Sequence, residues 1–154
     1  MSENQALIEK VKQRARQLYS EENLSCSQAV LLSMNETFPM GIDTNTLNAM
    51  SIPFAAGIGG CGCVCGALGG SLMSLGILLG ADPATNNRKN IQSISAKMHD
   101  TFKEAQSATC CRVIKKKHSE QGRSYCAQLV EDTAGKAAAL LLETINVPAS
   151  GLLP

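Results

Sequence analysis

Cys61-Gly62-Cys63-Val64-Cys65-Gly66-Ala67-Leu68-Gly69-Gly70-Ser71-Leu72-Met73-Ser74-Leu75-Gly76-Ile77-Leu78-Leu79-Gly80 decides how this chain folds, because it carries both the most apolar segment and three of the seven cysteines. It lies inside a longer stretch, Thr44 to Ala81, with no charged residue at all. From Gly66 to Gly80 apolar residues occur at every helical angle, so the segment reads as a helix buried on nearly all sides, closed by Gly80 and Pro83. Val64 to Ala81 also reaches the lower limit of about 18 residues for a membrane span. Its glycines and amphipathic neighbours favour a core helix instead, with Gly66, Gly69, Gly70 and Gly76 letting other backbones come close.

Working outward, Leu7, Ile8, Val11, Ala15 and Leu18 recur at helical spacing between Lys12, Arg14 and Arg16, which predicts an amphipathic helix over Ala6 to Leu18. Ser25-Cys26-Ser27-Gln28 matches a capping box, so a second helix starts there and runs until Pro39 and Gly41 stop it. Met50 to Gly60 reads as a short helix or turn followed by a glycine loop. Ile91, Ile94, Met98, Phe102 and Ala105 mark another helix. A last one begins near Ser124, with Cys126, Leu129, Val130, Thr133, Ala137, Leu140 and Leu141 on one face. No segment alternates with a period of two, and no repeat stands out. The expectation is an all-α, single-domain bundle over residues 1–154, five or six helices around the glycine-rich apolar one.

Composition agrees. The 154 residues are 44% hydrophobic, which supports one folded core, and only 3% aromatic with no tryptophan, so that core is aliphatic and suits close-packed helices. The formal net charge of +1 creates no global field for nucleic acid. The basic run Arg112 to His118 is read as a solvated face, or as an attraction for a small sulfur-containing anion. The start, Met1-Ser2-Glu3-Asn4-Gln5, lacks the basic and apolar regions of a secretory signal, so a cytoplasmic location is the default. No carboxylate pair or phosphate loop supports a hydrolase or kinase. His99 and His118 have no partner at motif spacing, and Met34, Met50, Met73 and Met98 fall at packing positions.

Seven cysteines are a heavy load for a reducing compartment, and their odd number disfavours a closed disulfide framework. Three of them open helices: Cys26, Cys65 and Cys126. Backbone N–H groups and the helix dipole there favour thiolate, so all three are expected to be acidic thiols. Thr109-Cys110-Cys111-Arg112 offers a fourth, with Thr109 as the cap of a short helix and Lys115, Lys116, Lys117 and His118 lowering thiol pKa further. Adjacent helical residues point about 100° apart, so only one of Cys110 and Cys111 faces a common site. There is no C-x-x-C, no ferredoxin cysteine run and no C-x-x-C-H, which removes the thioredoxin, zinc-ribbon and haem-attachment motifs. Cys61, Cys63 and Cys65 would share one face of an extended loop but not of a helix.

Cys26 opening a helix, then Cys65-Gly66-Ala67-Leu68-Gly69-Gly70 as a match to C-G-A-x-x-G, then a Cys-Arg step and a last helical cysteine resemble the C_GCAxxG_C_C family of redox-active proteins, over about residues 20 to 142. Carried over position by position, the resemblance points to Cys26, Cys65, Cys111 and Cys126. Cys111 is chosen over Cys110 because Cys111-Arg112-Val113-Ile114 is similar to the family's C-R-x-L step. A domain of this kind also accompanies the haem-binding part of split-Soret cytochromes, with an iron–sulfur centre, and only the cysteine part of that likeness carries over here. The resemblance implies redox chemistry at those four residues, with an iron–sulfur cluster for electron transfer to a partner protein as the first reading. Cys61 and Cys63 are further candidate ligands, and Cys110 is the best candidate for a merely structural cysteine. A metal-free thiol/disulfide oxidoreductase or sulfur carrier is the second reading, and a zinc or copper(I) site the third. An interaction module, dimeric through the glycine-rich helix, is compatible with any of them.

Overall fold

The computed structural model describes residues 1–146. Seven α-helices follow one another: α1 (Glu3–Ser20), α2 (Cys26–Thr37), α3 (Thr44–Ser51), α4 (Gly66–Ala81), α5 (Arg88–Gln106), α6 (Cys111–Lys117) and α7 (Arg123–Ile145). A 3₁₀ turn, Ile52–Phe54, extends α3. No strand occurs among the described residues, only one isolated bridge between Val64 and Cys110. The all-α expectation is met, and the count of five or six becomes seven because α3 and α6 each form a helix of their own.

Caps set most of the boundaries. Ser25 accepts the Gln28 N–H while the Gln28 side chain accepts the Ser25 N–H, the reciprocal box that fixes where α2 begins. Ser2 and Gln5 do the same for α1. Asp43 caps α3 and Asn87 caps α5, each through a side-chain oxygen three residues before its donor. α5 ends on Ser107 in the left-handed conformation.

The core lies between α4 and α7 rather than around α4 alone. α7 packs against α1, α2, α4 and α5, and α4 packs against α2, α5 and α7. Leu18, Leu31, Met34, Leu68, Leu75, Leu79, Met98, Phe102 and Val130 are fully enclosed there. α4 keeps a partly open side: Leu72, Met73, Ile77 and Leu78 are half-buried. Among the described residues no helix is long and apolar enough to cross a membrane. Where α2 crosses α4 the backbones nearly touch. A Cβ on Gly70 would stand 2.7 Å from the Ser27 carbonyl oxygen, so only glycine permits that crossing.

Candidate functional site

Four cysteines come to the site from four separate elements. Cys26 is the first residue of α2, Cys65 immediately precedes α4, Cys111 is the first residue of α6, and Cys126 lies at the end of the first turn of α7. All four line a single cavity of about 370 Å³. Leu24, Ala56, Ile114, Leu129 and Val130 supply apolar wall, Tyr19 closes one side, and Lys115 and Arg123 bring the charges in the lining. Cys65 and Cys111 are buried, and Cys26 and Cys126 are half-buried.

Local structure explains how residues so distant in sequence meet. The Cys65 N–H donates to the Thr109 carbonyl at 2.8 Å and the Cys111 N–H donates to the Cys63 carbonyl at 2.6 Å, framing the bridge between Val64 and Cys110. This two-bond ladder ties the start of α4 to the start of α6. The Cys26 sulfur is set against α4 in the same way that Ser27 is set against Gly70. A Cβ on Gly66 would stand 2.3 Å from Cys26 Sγ and 2.9 Å from the Phe54 carbonyl oxygen. Glycine directly after Cys65 therefore makes the space that the Cys26 sulfur occupies.

Residues 24–140 match the family described as "Putative redox-active protein (C_GCAxxG_C_C)". The chain belongs to this family. No curated protein and no solved structure matches it. The family's name spells out spaced cysteines around a glycine motif, and in this C_GCAxxG_C_C protein the Cys65-Gly66-Ala67-Leu68-Gly69-Gly70 stretch has a steric reason at Gly66 and another at Gly70.

The other three cysteines stay outside. Cys61, Cys63 and Cys110 are exposed, and none lines the cavity. The glycine loop that precedes them is a left-handed turn: Ala56, Gly57, Ile58, Gly59 and Gly60 all have φ between 51° and 81°. The Gly62 N–H bonds the Ala56 carbonyl at 3.2 Å and the Cys63 N–H bonds the Gly57 carbonyl at 2.9 Å, so the turn is closed on itself. A Cβ on Gly57 would meet Cys63 N at 2.5 Å and Cys111 Cβ at 2.8 Å, which shows how tightly the turn is wrapped on the start of α6. Arg112 fastens its far end by donating to the Cys61 carbonyl at 2.9 Å.

The expectation of acidic thiols at helix starts fails at two positions. Burial, with a smaller push from charge on Cys26, raises Cys65 to about 12, against the pull of the Ala67 and Leu68 N–H groups. Burial also pushes the Cys111 thiol up, opposed by Lys115 and reinforced by charge on Cys26 and Cys126. Desolvation outweighs the helix terminus because both residues are buried. Cys110, not Thr109, occupies the cap position of α6, and its side chain makes no capping hydrogen bond.

Several wall residues carry no sequence signal. Tyr19 is raised to about 12, mainly by burial and then by charge on Cys126. Arg123 stacks over the Tyr19 ring at 4.3 Å and donates through Nη2 to the Tyr19 carbonyl at 2.8 Å and Asn23 Oδ1 at 3.1 Å. His118 stacks on Tyr125 with ring centroids 3.5 Å apart, and Tyr125 donates its hydroxyl to Gln106. Nothing in the spacing of Tyr19, Arg123 and Tyr125 foretells that all three gather beside Cys126.

Proposed function

We propose that this chain is a redox protein in which Cys26, Cys65, Cys111 and Cys126 hold an iron–sulfur cluster and exchange electrons with a partner protein. The observation that carries the reading is the convergence of these four thiols, from four elements, on one cavity. The donor set fits: thiolate sulfur is the usual ligand of such clusters, and four cysteines complete one. Among the described residues no three His, Cys, Asp or Glu side chains are grouped to hold a single metal ion. A lone zinc with Zn–S bonds of about 2.3 Å needs its sulfurs roughly 3.8 Å apart. In a [4Fe–4S] cluster each cysteine binds a different iron, which keeps four sulfurs farther apart than they stand around one metal ion.

When bound, the cluster would supply one-electron transfer. The residues around it would set the potential and exclude water. Leu24, Ile114, Leu129 and Val130 form an apolar wall, the Ala67 and Leu68 N–H groups point toward Cys65, and Lys115 favours the charged form of Cys111.

A metal-free dithiol is the second reading. It is favoured by the Cys26 sulfur lying against Gly66, next to Cys65, where two thiols would form a disulfide by exchange with a partner's disulfide, which takes the two electrons and two protons and leaves as two thiols. Against it, a thiol raised to about 12 is a poor nucleophile near neutral pH.

Anaerobic purification with iron and acid-labile sulfide analysis and a visible spectrum separates these readings. The expected result is coloured protein containing both elements, lost in Cys26→Ser, Cys65→Ser, Cys111→Ser or Cys126→Ser and kept in Cys61→Ser, Cys63→Ser and Cys110→Ser. Colourless protein with titratable thiols, or zinc without sulfide, would overturn the cluster.

A further inference from the structure

The cysteine cavity does not end at its own wall. A second cavity of about 390 Å³ adjoins it, and the two share Tyr19, Lys115, Arg123 and Cys126. The outer chamber adds His118, Ser119 and Tyr125, so Cys126 stands at the boundary between a thiol chamber and a polar one. Among the described residues the charge in this double chamber has one sign: Lys115 and Arg123 line both parts, and no Asp or Glu lines either.

Two of the nearby acids are engaged elsewhere. Glu22 is paired with Arg14 at 2.7 Å, and Asp132 accepts from Gln128 at 3.1 Å. The cations are not neutralised. Lys115 makes no hydrogen bond or ion pair among the described residues, and Arg123 uses only Nη2, leaving its Nη1 and Nε hydrogens without a protein acceptor there. Arg123 is nevertheless held in place, by the Tyr19 ring and by the Tyr19 and Asn23 oxygens. A fixed guanidinium fork with open donors, facing an unpaired ammonium across a chamber, is built for an oxyanion.

We propose that the outer chamber binds a small divalent oxyanion between Lys115 and Arg123, beside Cys126. The inference rests on the reading of the inner cavity as the redox site, and it names the class of ligand that reaches that site. Two positive charges, one of them on a guanidinium held in place, match two negative ones. The shared position of Cys126 lets a sulfur atom of such an anion touch the thiol wall.

Isothermal titration calorimetry of the anaerobically purified protein with sulfate and with thiosulfate tests this. Binding of either is expected, weakened at least tenfold in Lys115→Gln and in Arg123→Gln, and unchanged in Lys116→Gln, a neighbour on α6 that lines neither chamber. Lys115 is exposed and unpartnered, so its variant keeps the fold, which far-ultraviolet circular dichroism checks. Tighter binding of thiosulfate than of sulfate, abolished in Cys126→Ser, would support the proposal and assign the ligand to sulfur compounds. No binding of either anion, or equal weakening in Lys115→Gln and Lys116→Gln, would overturn it. Iron and sulfide measured on the same samples report on the inner site separately: anion binding absent from iron-replete protein refutes the outer chamber alone, and anion binding by iron-free protein refutes the cluster alone.

Discussion

Gly66 shows how one missing methyl group creates a site. A Cβ there would fall 2.3 Å from Cys26 Sγ, so Gly66→Ala must displace the sulfur or separate α2 from α4. Overpacking of this kind costs about 1–3 kcal/mol. Urea denaturation of Gly66→Ala is expected to show that loss, together with reduced iron content. Gly76 on the same helix has nothing within 4 Å of its Cβ position, and Gly76→Ala should stabilise by about 0.5–1 kcal/mol through helix propensity alone. Equal effects at the two positions would contradict the steric account. Cys65 gives a pH prediction. Its thiol, ordinarily near 9, is held at about 12 in the metal-free fold, so the folded state keeps a proton that the unfolded chain releases. Stability from this group is complete below pH 9 and is lost as pH rises toward 12, a change on the order of 4 kcal/mol. The urea midpoint of metal-free protein should therefore fall across that range, and fall less steeply in Cys65→Ala.

Elements differ in how plainly the sequence declares them. α2 is legible to the residue, because Ser25 and Gln28 satisfy each other's backbone groups and that chemistry is written in two letters. α5 and α7 are legible from their apolar periodicity. α3 is not, since Thr44–Ser51 is short, mostly polar, and buries only Leu47 and Ser51. The glycine loop is legible as a loop, but not its left-handed winding. Most of its hydrogen bonds run between residues five and six apart, a pattern that no local propensity describes. The four cavity cysteines were legible through the family resemblance. That Cys61, Cys63 and Cys110 stay outside depends on this turn and on the bridge to Val64, which are tertiary in origin. The turn also contains Ile58, a β-branched residue at φ 66° and largely exposed. A left-handed β-branched residue costs about 1–2 kcal/mol, so Ile58→Gly should raise stability by about 1 kcal/mol with the helical content unchanged. A destabilised Ile58→Gly, measured by thermal unfolding, would mean that the Ile58 side chain anchors the turn.

At the scale of the whole molecule, the cysteine cavity belongs to no single helix. Its walls come from the ends of α1, α2, α4, α6 and α7 and from the left-handed turn, so it exists only while the entire bundle is assembled. A ligand bound there binds the folded state alone and adds its binding free energy to stability. Cluster-loaded protein should then unfold at a clearly higher urea concentration than protein stripped by a chelator. The loss of visible absorbance should coincide with the loss of helical circular dichroism. A cluster held by one local segment would behave otherwise: Cys61, Cys63 and Cys65 lie within five residues and could grip iron in a partly unfolded chain. Colour that outlasts the helices in urea would mean that the local triad holds the metal and that the assembled cavity does not. Colour and helix lost together, in wild type and in Cys61→Ser/Cys63→Ser alike, is the outcome that a site built by the whole fold requires.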